Sequence, residues 1–251
     1  MKKLIIASIV PIIAFSLLYA ETQSVVKKLD NVNTLNVSGK GIIQLVKSAE
    51  ESIEIIAETG DLEKIVIENK NGKLKIGYKP LAIIKSTPKF IVGYKNIKNI
   101  EIKGSCTLQG ENLEFDDISI ETSGSSKIDM SMTAKTVKME LSGSSDAKIN
   151  FNSTKVDIEL NGSSKTVASG KIDELKVECN GSSDLDARNC EVKLAYFESS
   201  GSTESYIFAT EKLKIVMNGS GKLFYKGKPE IKTEISGSSK LIFLEEDKKE
   251  R

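Results

Sequence analysis

Apolar and polar residues alternate along most of the chain, and from residue 104 onward the alternation comes in phrases of fixed length. Val137-Lys138-Met139-Glu140-Leu141-Ser142 precedes Gly143, Val156-Asp157-Ile158-Glu159-Leu160-Asn161 precedes Gly162, and Leu175-Lys176-Val177-Glu178-Cys179-Asn180 precedes Gly181. Leu213-Lys214-Ile215-Val216-Met217-Asn218 does the same before Gly219. Apolar side chains sit two, four and six places before each glycine. A period of two marks a strand with one buried face. A second, weaker alternation follows the glycine, as in Ile128 and Met130, Ala147 and Ile149, Leu185 and Ala187, and Leu241 and Phe243.

The glycines are Gly104, Gly124, Gly143, Gly162, Gly181, Gly201, Gly219 and Gly237, at successive spacings of 20, 19, 19, 19, 20, 18 and 18 residues. Each opens a Gly-Ser phrase, usually with a second Ser. So tight a period signals a repeat architecture. Two short strands and two corners per unit predict one coil of a β-solenoid, with coils about 4.8 Å apart pairing in parallel. The alternative is an antiparallel meander with Gly-Ser turns. The glycine belongs at a corner, where φ is positive or a neighbouring backbone comes close. The flanking Ser and Asn are expected to bond turn backbone.

These iterated Gly-Ser-Ser units, led in by Ile97-Lys98-Asn99-Ile100-Glu101-Ile102-Lys103-Gly104-Ser105, resemble the family known as putative auto-transporter adhesin, head GIN domain, over about residues 30–244. The resemblance implies an all-β, right-handed parallel β-helix in an exported bacterial protein. It supplies no catalytic residues.

The rest of the chain divides around the repeats. A basic start at Lys2 and Lys3, an apolar run from Leu4 to Leu18 and Ala20 before Glu21 read as a secretory signal peptide over residues 1–20. The run is too short to favour a membrane span, though a retained N-terminal anchor is the alternative. No cysteine lies near the cleavage site to carry a lipid. Residues 21–103 read as less regular β structure, continuous with the solenoid or capping its first coil. Asn71-Gly72 marks a hairpin between Ile67 and Leu74, and Pro80 to Pro88 marks a loop. Residues 104–244 are the repeats. Residues 245–251 are fully charged and read as a frayed tail that discourages pairing with the last coil. Too few residues remain outside the repeats for a translocator barrel to be expected within this sequence.

Charge and composition narrow the chemistry. The 251 residues hold 36 Lys and Arg against 35 Asp and Glu; without residues 1–20 the balance is 34 to 35, so nothing favours nucleic acid or an anionic membrane. Histidine is absent, which removes Ser-His-Asp and Cys-His catalysis and His-containing metal sites. Of Cys106, Cys179 and Cys190 at least one must be unpaired or intermolecular. Cys179 stands at an inward position and reads as a buried thiol; a Cys179–Cys190 disulfide stays open.

Four sets of residues are candidate sites. Glu121, Glu140, Glu159 and Glu178 each precede a glycine by three places, so stacking would align them on an outer face about 5 Å apart. They read either as a strip for Ca²⁺ or another cation, or as a solvated face that keeps the sheet soluble. Ser105, Ser125, Ser144, Ser163, Ser182, Ser202, Ser220 and Ser238 follow the glycines. That row could contact a glycan, or it could cap turn backbone. Asn161, Asn180 and Asn218 stand in Asn-Gly-Ser acceptor sequences, which the repeat generates for structural reasons. Asp116, Asp117, Asp184 and Asp186 are the remaining acids a carbohydrate-active β-helix enzyme could use, but short uniform coils leave little chain for a cleft.

The sequence therefore predicts no enzyme, no cofactor and no metal beyond that glutamate strip. It points to an exported, non-catalytic solenoid of the cell envelope, periplasmic, surface-bound or extracellular. Its partner would be a glycan or a protein, with no nucleic acid and no membrane span after signal removal. A structural or assembly role in the envelope is the second reading, and a carbohydrate-active enzyme the third.

Overall fold

The computed structural model describes residues 22–245. Residues 1–20, expected from the sequence to be a signal peptide, and residues 246–251 of the charged tail lie outside that range. The chain is nearly all β, 77% strand and 2% helix, in a parallel solenoid of about seven turns. In order it runs β1 (Thr22–Lys28), β2 (Thr34–Lys47), β3 (Ser52–Glu58), a single helical turn α1 (Thr59–Leu62), β4 (Ile65–Lys70), β5 (Lys73–Tyr78) and β6 (Lys89–Tyr94). The coils follow as β7 (Asn99–Gly124), β8 (Lys127–Gly143), β9 (Asp146–Leu160), β10 (Lys165–Gly181), β11 (Asp184–Gly201) and β12 (Glu204–Gly219). The last turn consists of β13 (Lys222–Lys226), β14 (Glu230–Gly237) and β15 (Lys240–Phe243).

Pairing between coils is parallel and set by the glycine period. Val137 lies on Val156, Met139 on Ile158 and Leu141 on Leu160, and the same columns continue into β10 as Leu175, Val177 and Cys179. These side chains are buried. A meander would have paired antiparallel within each unit; here partners lie 19 residues apart.

The corner explains the glycine. Gly162 has φ +79°, and a Cβ there would sit 2.8 Å from the Gly143 carbonyl oxygen of the coil below. That oxygen accepts a hydrogen bond from the Ser163 backbone N–H at 2.9 Å. Any side chain would thus wedge apart a backbone ladder that stitches coil to coil. The column begins earlier than the Gly-Ser phrases: Gly39 of β2 pairs with Gly104.

The second Ser of each phrase points inward. Ser126, Ser145, Ser164 and Ser183 are buried, and Thr203 takes that place in the next coil. Ser164 donates to Leu141 O at 3.2 Å and Asn161 O at 3.0 Å, and Ser183 donates to Asn180 O at 2.6 Å. These hydroxyls reinforce the corner, since Leu141 O also accepts the Asn161 backbone N–H at 2.8 Å. Cys106 occupies the same place in its own coil, with its thiol on Gly39 O at 3.4 Å.

The N-terminal strands depart from the repeat. β2 lies in the parallel stack, but β6 carries β3 and β1 beside it in antiparallel order. β4 and β5 form the expected hairpin, with Asn71 and Gly72 at φ +51° and +76° between the paired Lys70 and Lys73. The Pro80–Pro88 loop is held from below. The buried Asp61 carboxylate accepts the Lys85 N–H at 2.9 Å and both the backbone N–H and hydroxyl of Ser86 at 2.7 Å, and pairs with Lys64 at 3.0 Å. Burial pushes its pKa up, but these donors outweigh burial and hold the carboxyl well below its ordinary range.

Cys106, Cys179 and Cys190 are all free and buried, so no 179–190 disulfide forms. Burial raises their pKa values to about 11, 12 and 12. No helix among the described residues is long and apolar enough to cross a membrane.

Candidate functional site

Each coil exposes two outer faces, one from the strand arm before the glycine and one from the arm after it. On the first, the glutamates stack in register: Glu121 on Glu140, Glu140 on Glu159, Glu159 on Glu178, and Glu178 on Glu198. Glu101 stands at the same place before Gly104, and Val216 interrupts the row before Glu234. Neighbours in the same strand offset several of these charges. Lys103 pairs with Glu101 and keeps its carboxyl below the ordinary range. Lys176 pairs with Glu178 at 2.5 Å, the Asn161 amide donates to Glu159 at 3.0 Å, and the Tyr196 hydroxyl donates to Glu198 at 2.7 Å. Among the described residues no group of three or more Cys, Asp or Glu converges as a metal site would require. One carboxylate per coil on a flat face gives a line of single charges rather than a cage.

The first Ser of each phrase lies on the surface, from Ser105 through Ser238. Its contribution to the corner is the backbone N–H, not the hydroxyl. Asn161 and Asn180 use their amides within the corner, Asn180 donating to Asn161 Oδ1 at 3.1 Å. Asn218 is exposed, and its side-chain oxygen accepts a hydrogen bond from Ser236 at 2.5 Å. The four separate acids do not come together: Asp116 pairs with Lys135 at 2.7 Å, Asp186 with Arg188 at 2.8 Å, and Asp184 caps the Glu204 N–H at 2.8 Å. A groove of about 560 Å³ follows the opposite corner past Thr133, Lys135, Asn152, Lys171 and Asp173. Asp173 there is bound to Lys193 at 2.7 Å.

The second outer face holds what the sequence reading passed over. One of its rows runs Gln109, Asp129, Lys148, Val167, Asp186, Tyr206, Phe224 and Ile242. Early members are mostly charged or polar; the last three are aromatic or aliphatic. The Tyr206 and Phe224 rings stack at 4.7 Å with 11° between planes. Arg188 lies 3.8 Å above the Tyr206 ring while its Nε binds Asp186 at 2.8 Å. Tyr206 donates its hydroxyl to Glu204 at 3.1 Å. Lys226 sits 5.1 Å from the Phe208 ring beside them. Tyr206, Phe208, Phe224 and Ile242 are half-buried, and because Tyr206 and Phe224 stack on each other with Arg188 over Tyr206, that pair turns its ring edges outward between Arg188, Glu204 and Lys222. Stacked outward aromatics with charged neighbours form a rigid amphipathic platform. The 18-residue spacing of Tyr206, Phe224 and Ile242 was the available signal, one repeat apart at outward positions.

Comparison with known proteins places this geometry. The family model for putative auto-transporter adhesin, head GIN domain, matches residues 31–150 and 132–229. The chain belongs to this family. Three solved structures share the fold. A putative adhesin from Parabacteroides merdae is 16% identical with a TM-score of 0.82, covering 90% of this chain and 97% of that one. A putative lipid binding protein from Parabacteroides distasonis is 19% identical with a TM-score of 0.85, covering 89% and 97%. A putative adhesin from the same species is 18% identical with a TM-score of 0.80, covering 90% and 98%. No curated protein matches the chain. The family and two of these neighbours carry adhesin descriptions rather than enzyme ones.

Proposed function

We propose that this GIN-domain protein is an exported, non-catalytic binding protein of the cell envelope, and that it holds a polysaccharide or other glycan against the Tyr206–Phe224 face. The observation that carries the reading is the stacked pair of half-buried rings on an outer surface with charged neighbours. A sugar ring offers an apolar face that can lie across the outward edges of the stacked rings, and hydroxyls to the groups around them. Arg188, Asp186, Glu204 and Lys222 supply donors and acceptors at that rim. The openness of the face suits a polymer that runs across it, and a polymer can make the same weak contact many times. The signal-like pattern of residues 1–20 is consistent with a binder outside the cytoplasm.

The test is a polysaccharide and glycan array probed with the purified protein, followed by reducing-sugar analysis of every bound sugar. Binding without cleavage is the expected outcome. Cleavage of a bound sugar, or no glycan binding, would contradict the reading.

A further inference from the structure

The last turn of the solenoid is an open end. β14 pairs only with β12 and β15 only with β13 among the described residues, so each leaves one edge without a strand. Behind that edge the inward columns run out half-covered. Ile231 and Leu241 are half-buried and Ile235 is 40% exposed, where their equivalents one turn back, Leu213, Leu223 and Met217, are buried; Phe243 is 48% exposed above the half-buried Tyr225. An apolar edge of this kind invites another strand, against the sequence expectation that the charged residues 245–251 discourage pairing with the last coil.

We propose that a second copy of this chain covers the end, pairing β14 with β14 and β15 with β15 in antiparallel fashion about one two-fold axis. The charge pattern chooses this occupant and this register. Reading outward from Thr233, Lys232 and Glu234 flank it on the outer face, and Ile231 and Ile235 flank those on the inner face. An antiparallel pair centred on Thr233 sets Lys232 against Glu234 of the partner subunit twice, and Ile231 against the partner's Ile235 twice. A parallel, in-register pair would instead set Lys on Lys and Glu on Glu, which is unfavourable.

The second strand agrees with the first. Centring β15 on Ile242 sets Leu241 against the partner's Phe243 on the inner face, and Ile242 against its own copy on the outer face. Thr233 lies four residues before Gly237 and Ile242 five after it, so both centres stand at matching depth from the same corner. The proposed dimer places one two-fold axis through both centres, as an isologous interface requires. The opposite end also has open edges, at β1 with Val25 and Val26 exposed and at β4 with Ile65, Val66 and Ile67 half-buried, so the charge swaps and the cross-link below are placed on β14 to single out this end. In such a dimer the row Tyr206, Phe224, Ile242 continues directly into its two-fold mate. Self-association stands on the edge geometry alone and does not depend on the glycan reading.

The test is sedimentation equilibrium of the purified protein with a charge-swap series. The wild type should show a reversible monomer–dimer equilibrium. Lys232→Glu and Glu234→Lys should each weaken it roughly tenfold, since two attractive pairs become repulsive. The Lys232→Glu/Glu234→Lys double variant should recover wild-type association. Thr233→Cys, which adds a thiol at the axis while the native thiols stay buried, should cross-link to a disulfide dimer under mild oxidation. A wild type that stays monomeric at all concentrations overturns the proposal. A dimer that the double variant fails to restore, and that Thr233→Cys does not cross-link, overturns it too, because the contact then lies elsewhere.

Discussion

The middle coils and the final coils share one interior and differ in what they show to solvent. β8, β9 and β10 and their successors β11, β12 and β13 stack the same inward columns on the same glycine corners. On one outer row the middle coils place Asp129, Lys148 and Val167, and the final coils place Asp186, Tyr206 and Phe224. Repetition thus accounts for the scaffold. An outward position is free of the packing that makes coils alike, so a departure from the repeat there is where recognition can be written.

Breaking the shared interior should have the largest effect. Leu160 is fully buried between Leu141 and Cys179, so Leu160→Asp should cost about 4 kcal/mol or more through a buried, unpaired charge. Gly162→Val should follow at about 2–4 kcal/mol, from a β-branched residue at φ +79° wedged against the Gly143 carbonyl. Urea denaturation reads both. If either variant melts like wild type, the stacking register is wrong.

A smaller effect belongs to the N-terminal part, where the coils give way to a loop tied by one carboxylate. The folded pKa of Asp61 is depressed, so its contribution is present above the unfolded value of about 3.9 and is lost as pH falls through the lower folded value. Asp61→Asn should remove about 1.5–3 kcal/mol at pH 7 and less under strong acid, where wild type has lost the same charge-assisted bonds. Stability measured from pH 7 down to about pH 2 checks this, and parallel curves for the two proteins would contradict it.

The smallest effect should come from the glutamate row. Glu140→Gln, Glu159→Gln and Glu178→Gln together should change stability by no more than about 0.5 kcal/mol, as expected for surface substitutions. Ca²⁺ should leave the melting temperature of wild type and variant alike. A Ca²⁺-dependent rise seen in wild type and missing in the variant would instead make the row a cation strip.

What the sequence made legible follows from how strongly each feature is constrained. The parallel solenoid was readable because buried alternation and a corner glycine recur under the same steric demand, coil after coil. The β4–β5 hairpin was readable because Asn71-Gly72 fits a two-residue turn with positive φ at both places. The glutamate row was read short: Glu101 and Glu198 extend it, and their neighbours Lys103 and Tyr196, not the repeat, set their surroundings. The corner serines were visible, but not their division of labour, because Ser163 and Ser164 look alike until one hydroxyl faces water and the other the corner carbonyls. The Tyr206–Phe224 platform escaped because strand alternation tests inward positions, whereas these rings stand on the outer face.

The central claim is that recognition lies on the outer face of the final coils and not in the repeat itself. Binding of an array-selected polysaccharide, titrated calorimetrically, should separate the two with matched variants of the same outer row. Tyr206→Ala/Phe224→Ala should weaken binding at least about tenfold, the worth of about 1.4 kcal/mol, while keeping the wild-type fold. Asp129→Ala/Lys148→Ala, three to four coils earlier in that row, should leave affinity within about twofold. Equal losses from both pairs, or undiminished binding without the two rings, would contradict the account.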